Sequence, residues 1–357
     1  MKKIRLLYIF SKDRDFKNPD KYPSTFFYGW KEFKKDPKFE TSEILLTTKG
    51  FLFYLWKPFE TIHFHLTSVG FALDRVVRQR KYINTFDVVL AVNDSSGLPL
   101  LLLKKLGFIR PKIFMISAGL VNNLVRMSGI LSPFKWTYAS LLKKAHRIFL
   151  WSPLEKDLYG RIVGENAFLL PLQIDTKFFS ANNTPKEDFF LSVGRDPERD
   201  PETLFRAFGD NGEKLVAIGN TPYIRKNIWS ITKRLSFQEM KELYQKAYAV
   251  IIPIKKVARI SGQTALVEAL AMGKAIIVAR NEAILSQYQL RENEDVLFYE
   301  PENVDDLAKQ ITRLKKDPSL IKRLEENAKK FIESLPESHR PATYETIARE
   351  TLNSLSC

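Results

Sequence analysis

Cysteine, histidine and long apolar runs are scarce in this 357-residue sequence. The single cysteine, Cys357, is the last residue, so we expect no disulfide framework and no cysteine metal site, which suits a reducing cytosol. No stretch approaches 18 consecutive apolar residues, and Met1-Lys2-Lys3 leads into a predicted strand rather than a signal peptide. With 45% hydrophobic residues the chain can bury two cores of ordinary size, so we expect two domains.

Acidic residues are also scarce, but only in the first half. Residues 1–170 contain 28 Lys and Arg against 14 Asp and Glu, whereas residues 171–357 contain 28 against 27. Between Asp94 and Glu155 there is no acidic residue, although nine basic residues intervene. A field of this kind attracts an anionic surface, which is either nucleic acid or membrane. No RNA-binding motif accompanies the charge, so we expect an anionic membrane surface and no nucleic acid.

The most informative stretch runs from Ala247 to Ala279. It opens with an apolar, β-branched run that predicts a buried strand, followed by a loop with the sequence Ser261-Gly262-Gln263-Thr264. Ala265–Met272 is apolar except for one glutamate and predicts a helix that ends at Gly273. Ala275–Ala279 predicts the next strand, so the stretch is typical of an α/β protein.

The start of the predicted helix indicates an anion site. Ser261 is a good N-cap and Gly262 permits close approach of a ligand, so unpaired N–H groups and the positive helix end favour phosphate. Thr264 and Glu268 share a helical face with Ser261, and Glu268 lies roughly 10 Å from the cap, about the span from a diphosphate to a ribose. A carboxylate on an apolar helix needs a partner, which a ribose diol, or a lysine or arginine, would supply.

The Ser261-Gly262-Gln263-Thr264 loop, the run Glu268-Ala-Leu-Ala-Met-Gly-Lys and the strand after it resemble the nucleotide-sugar-binding signature of family 4 glycosyltransferases. That signature contains two glutamates with seven residues between them, the first near the transferred sugar and the second on the ribose. Glu268 matches the second, and Ile260 occupies the position of the first. The resemblance covers Leu170 to Ile332 and implies an α/β fold of the GT-B type, with two doubly wound Rossmann-like domains facing across a cleft.

The same resemblance sets the expected domain boundaries. Residues 1–170 would form an N-terminal, acceptor-binding Rossmann-like domain, and residues 171–335 the nucleotide-sugar-binding Rossmann-like domain. Residues 336–357 would form a C-terminal helix that crosses back to the first domain. Phe168–Phe179 resembles the hinge that leads such chains into the second domain.

A second motif, Gly194-Arg195-Asp196-Pro197-Glu198-Arg199-Asp200, follows a predicted strand. The family pattern is Gly-Arg with a lysine five residues after the arginine, both cations facing the leaving diphosphate. Arg195 matches this arginine, Asp200 occupies the lysine position, and we expect Arg199 to supply the second cation, because guanidinium suits diphosphate oxygens. The alternative is that the two arginines form surface ion pairs with the neighbouring acidic residues.

Further candidate site residues follow from the family resemblance, and one follows from its position at the end of a predicted strand. Gly219 is expected near the nucleotide, and Arg234 and Leu235 near its base. Asp94 follows a predicted strand at the carboxyl edge, where it would either orient an acceptor hydroxyl or cap the following helix. Many family members have a histidine before the Gly-Leu pair that follows the next strand; Ala118 stands there, so no general base is assigned.

Two apolar stretches of the first half each leave two interpretations open. Phe51–Phe59, with the sequence FLFYLWKPF, is the most aromatic run of the chain. It would pack in the core beside the sheet or form an interfacial or acceptor-facing patch. Val121–Lys144 is apolar, basic and aromatic, and predicts either covered helices or a membrane-contacting face.

The family resemblance implies a retaining glycosyltransferase that moves a sugar from a nucleotide-diphosphate donor to a glycan or lipid-linked acceptor, in cell-envelope polysaccharide or glycolipid synthesis. As the resemblance implies, Arg195, Arg199 and the amides of residues 262–264 would stabilise the departing diphosphate, so we expect no metal and no cofactor. The expected location is cytoplasmic and peripheral, on the inner face of the cell membrane. The alternative is a non-catalytic protein of the same fold that binds a nucleotide sugar or glycan, which the residues at positions 260 and 118 favour.

Overall fold

A computed structural model describes residues 2–11, 14–46, 51–172, 174–181, 184–209, 212–336 and 340–356; Cys357 lies outside these ranges. The chain divides into two compact units. Unit 1 comprises Met1–Pro19, Phe27–Leu172 and Pro341–Cys357, and unit 2 comprises Asp20–Phe26 and Gln173–Arg340. Which unit receives the acceptor and which the donor remains a prediction.

Unit 1 is built on a six-stranded parallel sheet with the strand order β2-β1-β3-β4-β5-β6. The central strands are buried along their length, as parallel strands are when helices cover both faces. The strands are β1 (Ile4–Phe10), β2 (Phe39–Leu45), β3 (Val88–Ala91), β4 (Lys112–Ile116), β5 (Arg147–Leu150) and β6 (Ala167–Leu169).

Helices α1 to α7 belong to unit 1. Their buried residues form one apolar core with the strands, in which Leu101, Met115 and Tyr159 are fully enclosed. The helices are α1 (Trp30–Phe33), α2 (Phe51–Thr67), α3 (Leu73–Ile83), α4 (Asp94–Lys105), α5 (Leu120–Arg126), α6 (Ser132–Leu142) and α7 (Pro153–Val163).

The aromatic run at Phe51–Phe59 forms the first half of α2. Phe51, Tyr54 and Phe59 are 76%, 72% and 64% exposed, so the prediction of core packing is wrong for these side chains. Only one stripe of α2 faces the rest of the unit. Trp56 lies on that stripe, and its indole N–H donates to the carbonyl oxygen of Phe71 over 3.1 Å.

Unit 2 contains a seven-stranded sheet with the order β13-β12-β11-β7-β8-β10-β9, parallel except for β9. The chain runs from β7 outward to β10 on one side and then crosses to β11 on the other. The winding therefore reverses between β7 and β11, where open α/β sheets bind ligands. The strands are β7 (Phe190–Val193), β8 (Leu215–Ile218), β9 (Ile224–Arg225), β10 (Ile228–Ile231), β11 (Ala249–Ile252), β12 (Ile276–Ala279) and β13 (Leu297–Tyr299).

Six helices complete the main part of unit 2. The predicted strand, loop, helix and strand of the Ala247–Ala279 stretch are confirmed as β11, a loop, α10 and β12. The α/β class with two doubly wound sheets is likewise confirmed. The helices are α8 (Pro201–Phe208), α9 (Phe237–Lys246), α10 (Gln263–Ala271), α11 (Glu282–Tyr288), α12 (Val304–Lys316) and α13 (Pro318–Ser334).

The last helix, α14 (Ala342–Ser356), belongs to unit 1. The Tyr344 hydroxyl donates to Asp36 Oδ2 over 2.5 Å, and Arg147 Nε lies 3.0 Å from Glu350 Oε2. Ile347 is fully buried. Within the described ranges, every helix is too short or too polar to cross a bilayer.

Candidate functional site

A cavity of about 200 Å³ opens at the carboxyl ends of β7, β8 and β11 in unit 2. This is the edge of the sheet beside the reversal in winding. Each of the three strands contributes residues that follow its last position. The lining includes Gly194, Arg195 and Arg199 after β7, Gly219 and Asn220 after β8, and Lys255 after β11.

Arg199 is the central cation of this cavity. Its side chain is only 9% exposed, and Nη2 donates to the carbonyl oxygen of Val193 over 2.7 Å. Nε and Nη1 are buried and have no hydrogen-bond partner among the residues that the structure describes. Burial lowers the pKa of the guanidinium, while the negative charge of Asp196 acts in the opposite direction. A buried cation with two unused donors is an incomplete arrangement that an anion would complete.

Two glycines make room for this guanidinium. A Cβ atom at Gly194 would overlap the Arg199 side chain. At Gly262 a Cβ atom would lie 3.4 Å from Arg199 Nη1 and only 2.6 Å from Ile252 Cγ2. Gly262 also has a φ of +75°, a left-handed conformation that side chains other than glycine rarely adopt. The sequence therefore needs glycine at both positions to bring Arg199 beneath the start of α10.

Helix α10 is capped by Gly262, so the prediction that Ser261 is its N-cap is wrong. Glycine has no side chain, and the first turn of α10 receives no side-chain cap. Ser261 instead donates from Oγ to Asp196 Oδ2 over 3.3 Å and is 1% exposed. The free N–H groups of this turn thus remain available to an anion beside Arg199.

Asp196 ties the loop after β7 to the segment before α10. Its carboxylate forms an ion pair with Arg259 and accepts a hydrogen bond from the backbone N–H of Glu198 over 2.9 Å. Burial raises the pKa of Asp196, but the hydrogen bond and charge of Arg259 outweigh it and hold the pKa below its usual value. Arg259 is 8% exposed, so this ion pair is largely enclosed.

Arg195 is held by two loops at the rim of the cavity. Nη1 donates to Asn220 Oδ1 over 3.0 Å and Nη2 to the carbonyl oxygen of Lys233 over 2.5 Å. The surface ion pairs that were the alternative for the two arginines are therefore not what the described contacts show. Arg234 and Leu235 follow Lys233 in the loop before α9; Arg234 is exposed, Leu235 is half-buried, and neither lines the cavity.

Glu268 lies in the second turn of α10 and is 6% exposed. Its Oε2 accepts a hydrogen bond from the Tyr244 hydroxyl over 3.1 Å. Burial raises the pKa of Glu268 to about 8, although the Tyr244 hydrogen bond and the charge of Arg199 lower it. Its hydrogen-bond partner is thus a tyrosine rather than a lysine or arginine, and burial favours the protonated form of the carboxyl group. Contact with a ribose remains a prediction.

The other two residues of the Ser-Gly-Gln-Thr loop point in different directions. Gln263 is buried, and its Nε2 donates to the Tyr288 hydroxyl over 2.7 Å, which joins α10 to α11. Thr264 is exposed to solvent. The structure therefore brings Ser261 and Gly262 together with Arg199, while Gln263 supports the packing of the helix.

Asp94 belongs to unit 1, where it connects two strand ends. Asn93, not Asp94, is the N-cap of α4, so the capping alternative is wrong. The Asp94 carboxylate accepts hydrogen bonds from Ser117 Oγ over 2.6 Å and from the backbone N–H groups of Ala118 and Leu120 over 3.0 and 3.3 Å. Its role toward an acceptor remains a prediction.

The sequence reasoning missed Lys255, Tyr244 and the Arg259–Asp196 pair. Lys255 had a usable signal, because it comes shortly after β11 at the carboxyl edge of the sheet. It lines the cavity as a third cation. The other contacts join residues 24 and 63 positions apart, which no local pattern reveals.

The described residues contain no group of three acidic, histidine or cysteine side chains that could hold a metal ion. One Asp-x-Asp triplet, Asp13-Arg14-Asp15, follows β1 in the sequence. Asp13 lies outside the described residues, and Asp15 Oδ1 and Oδ2 accept hydrogen bonds from Asn18. Transfer without a metal remains a prediction.

Three solved structures show the same fold along nearly the whole chain. Sucrose-phosphate synthase from Thermosynechococcus elongatus matches with a TM-score of 0.72 at 15% identity, over 99% of this chain and 100% of the other. HepE of Anabaena in complex with UDP-glucose matches with 0.67 at 11% identity, over 98% and 100%. WaaG, a glycosyltransferase involved in lipopolysaccharide biosynthesis, matches with 0.64 at 12% identity, over 96% and 99%.

The amino-acid sequence adds a similarity to a known family over part of the chain. Residues 173–331 match the family model described as glycosyl transferases group 1, and this segment contains the cavity, Arg199 and α10. Comparison with curated proteins finds no match. Residues 173–331 are therefore similar to glycosyl transferases group 1, and the chain shares its fold with the three solved structures.

Proposed function

We propose that this protein transfers a sugar from a nucleoside-diphosphate donor, bound in the cavity of unit 2, to a glycan or lipid-linked acceptor. The observation that carries the proposal is Arg199, a buried guanidinium with two unused N–H donors beside the start of α10, which has no side-chain cap. These groups are positive, enclosed and close together, which is what a diphosphate requires.

The departing diphosphate gains negative charge as the bond to the sugar breaks. Arg199, the N–H groups of the first turn of α10, and the cations Arg195 and Lys255 supply positive charge on the side that the phosphates would occupy. This charge supports transfer without a metal ion. Retention at the anomeric carbon, and membership of family 4, follow from the resemblance of the Ser261 loop and the Glu268 run to that family.

The donor sugar would meet an unusual environment. Ile260, which is 5% exposed, stands where the family signature has its first glutamate. Because isoleucine has no carboxylate, it offers the sugar no hydrogen bond at this position. The polar contacts of the sugar must then come from other residues. Burial raises the pKa of Glu268, and the protonated carboxyl group is able both to donate and to accept a hydrogen bond with a ribose diol.

The structures of HepE contain UDP, UDP-glucose, or UDP with glucose, so uridine donors are the first to test here. The strongly basic first half supports a further part of the proposal, that the protein works at the inner face of the cell membrane on an acceptor carrying lipid or phosphate. A role in cell-envelope polysaccharide or glycolipid synthesis would follow from such an acceptor.

A second candidate is a non-catalytic protein that binds the same nucleotide sugars. Ile260 and Ala118 favour it, because both replace residues that the family uses near the reacting sugar. Turnover separates the two candidates: release of UDP from UDP-sugars in the presence of membrane lipid extracts supports transfer, whereas tight binding without release supports the binding protein.

The donor site is tested by titrating UDP, GDP and ADP into the wild type and Arg199→Met, with calorimetry and thermal shift as readouts. We expect one nucleoside diphosphate to raise Tm, and its affinity to fall at least about tenfold in the variant, because a charged hydrogen bond is lost. Arg206→Met is the matched control, since Arg206 is an exposed arginine on α8 that pairs with Glu202 at 3.8 Å and does not line the cavity. Equal affinity in wild type and Arg199→Met would refute the site.

A further inference from the structure

Helix α2 presents large apolar side chains to solvent along its 17 residues. Phe51, Tyr54, Phe59 and Ile62 are 60–76% exposed. The remaining large apolar side chains of this face are 50–54% exposed; they are Leu55, Phe64 and Leu66. An exposed group of this size needs an explanation, whereas single exposed apolar residues do not.

The opposite stripe of α2 is firmly attached to its own unit. Glu60 forms an ion pair with Arg75 of α3. His63 Nε2 lies 2.5 Å from the Tyr138 hydroxyl of α6, and its ring lies 5.9 Å from that of Phe134. These contacts fix the orientation of the helix, so its apolar side faces outward in the folded unit.

The segment from α5 to α6, which lies beside α2, also exposes large apolar side chains. Asn123 Nδ2 donates to the carbonyl oxygen of Ser68 over 3.3 Å, which joins α5 to the end of α2. From this segment Val125, Ile130 and Trp136 are 54%, 92% and 75% exposed. We call these three side chains and the seven of α2 the apolar face.

The exposed charges on the elements that carry the apolar face have one sign. Glu60 is the only acidic residue of α2, and it is buried against Arg75. Residues 120–142 contain no acidic residue at all. Exposed basic residues accompany the apolar side chains on the same elements; they are Lys57, Arg126 and Lys135.

We infer that the apolar face is a lipid-docking surface, by which α2 lies at the boundary of headgroups and acyl chains in an anionic bilayer. The aromatic and aliphatic side chains would enter the acyl boundary, while the lysine and arginine side chains reach the phosphates. A second copy of the chain fits this face poorly, because it would bring the same positive charges together with no exposed acidic residue on α2 or in residues 120–142 to neutralise them.

This inference goes beyond the charge-driven membrane association in the proposed function, and it does not depend on sugar transfer. Charge alone gives binding that disappears when salt is raised, since the Debye length falls from about 10 Å at 0.1 M to about 3 Å at 1 M. Apolar insertion persists at high salt. The two kinds of binding therefore give different results in the same experiment.

The experiment is flotation of the full chain with vesicles of phosphatidylcholine, with and without phosphatidylglycerol, at both salt concentrations. The variant is Phe51→Ser, Tyr54→Ser and Ile62→Ser together, which removes exposed side chains only. The matched control changes three exposed apolar residues elsewhere, namely Leu106→Ser, Phe108→Ser and Ile224→Ser. Trp136→Phe identifies the fluorescence of Trp136.

We expect the wild type and the control to float with anionic vesicles, partly even at high salt, and the variant to bind at least about tenfold less. Trp136 emission should shift to the blue on vesicles. Flotation of the variant equal to wild type would overturn the inference, as would a wild-type dimer that the variant converts to a monomer without any vesicle binding. UDP titration of the same proteins keeps the two proposals separate. A variant that binds vesicles less but keeps its affinity for UDP is altered at the apolar face and not at the donor cavity.

Discussion

Glu268 is a carboxyl group enclosed by protein, and this makes the stability of the protein depend on pH. The pKa of Glu268 is raised to about 8, against 4.5 in an unfolded chain. Between these pH values the folded state binds more protons, so stability falls as pH rises, by about 1.4 kcal/mol per pH unit at most. We expect Glu268→Gln to remove much of this fall. Urea unfolding at pH 5, 6, 7 and 8 measures it.

A matched control for Glu268 is Glu326→Gln, on an exposed position of α13 whose side chain is 56% accessible. This substitution should leave the pH profile unchanged. If Glu268→Gln and the wild type lose stability in parallel between pH 5 and 8, the Glu268 carboxyl is already ionised in the folded state, and its proposed protonation is wrong.

Single residues differ in how far the sequence predicts their roles. Arg199 was predicted as a diphosphate-facing cation from the family resemblance of the Gly194-Arg195 motif and from the chemistry of guanidinium, and it lines the cavity. Glu268 was predicted as a residue that needs a partner, but Tyr244 lies on another helix, and only the fold brings the two together. Asp200 stands where the family has a lysine, and the structure gives it a local role as the N-cap of α8.

At the scale of elements, the turn from β11 into α10 depends on Gly262. Alanine there would meet Ile252 Cγ2 at 2.6 Å and adopt a φ of +75°. The left-handed conformation alone disfavours alanine by about 1–2 kcal/mol. We expect Gly262→Ala to lower stability by about that amount or more, and to weaken nucleoside-diphosphate binding at least about tenfold, because the start of α10 moves relative to Arg199. Unfolding and calorimetric titration measure the two effects.

Gly160→Ala provides the comparison for this prediction. Gly160 lies within α7, and a Cβ atom there would have no neighbour within 4 Å. Alanine in a helix interior is favoured over glycine by about 1 kcal/mol, so this variant should be neutral or more stable. Gly262→Ala with stability and affinity equal to those of Gly160→Ala would contradict the role of the turn.

Elements were predicted well where their pattern is local. The strand, loop and helix around Ser261 follow from an apolar run, a glycine and a second apolar run. The position of the cap did not follow, because Ser261 and Gly262 are both acceptable caps and the Asp196 carboxylate engages the serine. For α2, aromatic content alone does not tell which side of the helix packs, so the core interpretation of Phe51–Phe59 failed.

At the scale of the whole chain, the sequence gives the two-sheet architecture more readily than the acceptor or the linkage. Parallel strands alternate with helices in both halves, and this alternation determines the class. The uneven charge of the sequence lies mainly in unit 1, where Arg126 of α5 and Lys135 of α6 are among the exposed basic residues. Specificity for a donor sugar depends on contacts between distant residues, such as Asp196 with Arg259, which composition does not encode.

Because α14 belongs to unit 1, we predict that its packing stabilises that unit without affecting donor binding in unit 2. Ile347 of α14 is fully buried, so Ile347→Ala should destabilise unit 1 by about 2–5 kcal/mol through lost packing and a residual cavity. Nucleoside-diphosphate affinity should not change, because the cavity is built entirely from unit 2. Urea unfolding and UDP titration of the same variant test both statements. Leu355→Ala, on the same helix and 38% exposed, should change neither. A fall in UDP affinity with Ile347→Ala, but not with Leu355→Ala, would mean that α14 supports the donor cavity as well as the fold of unit 1.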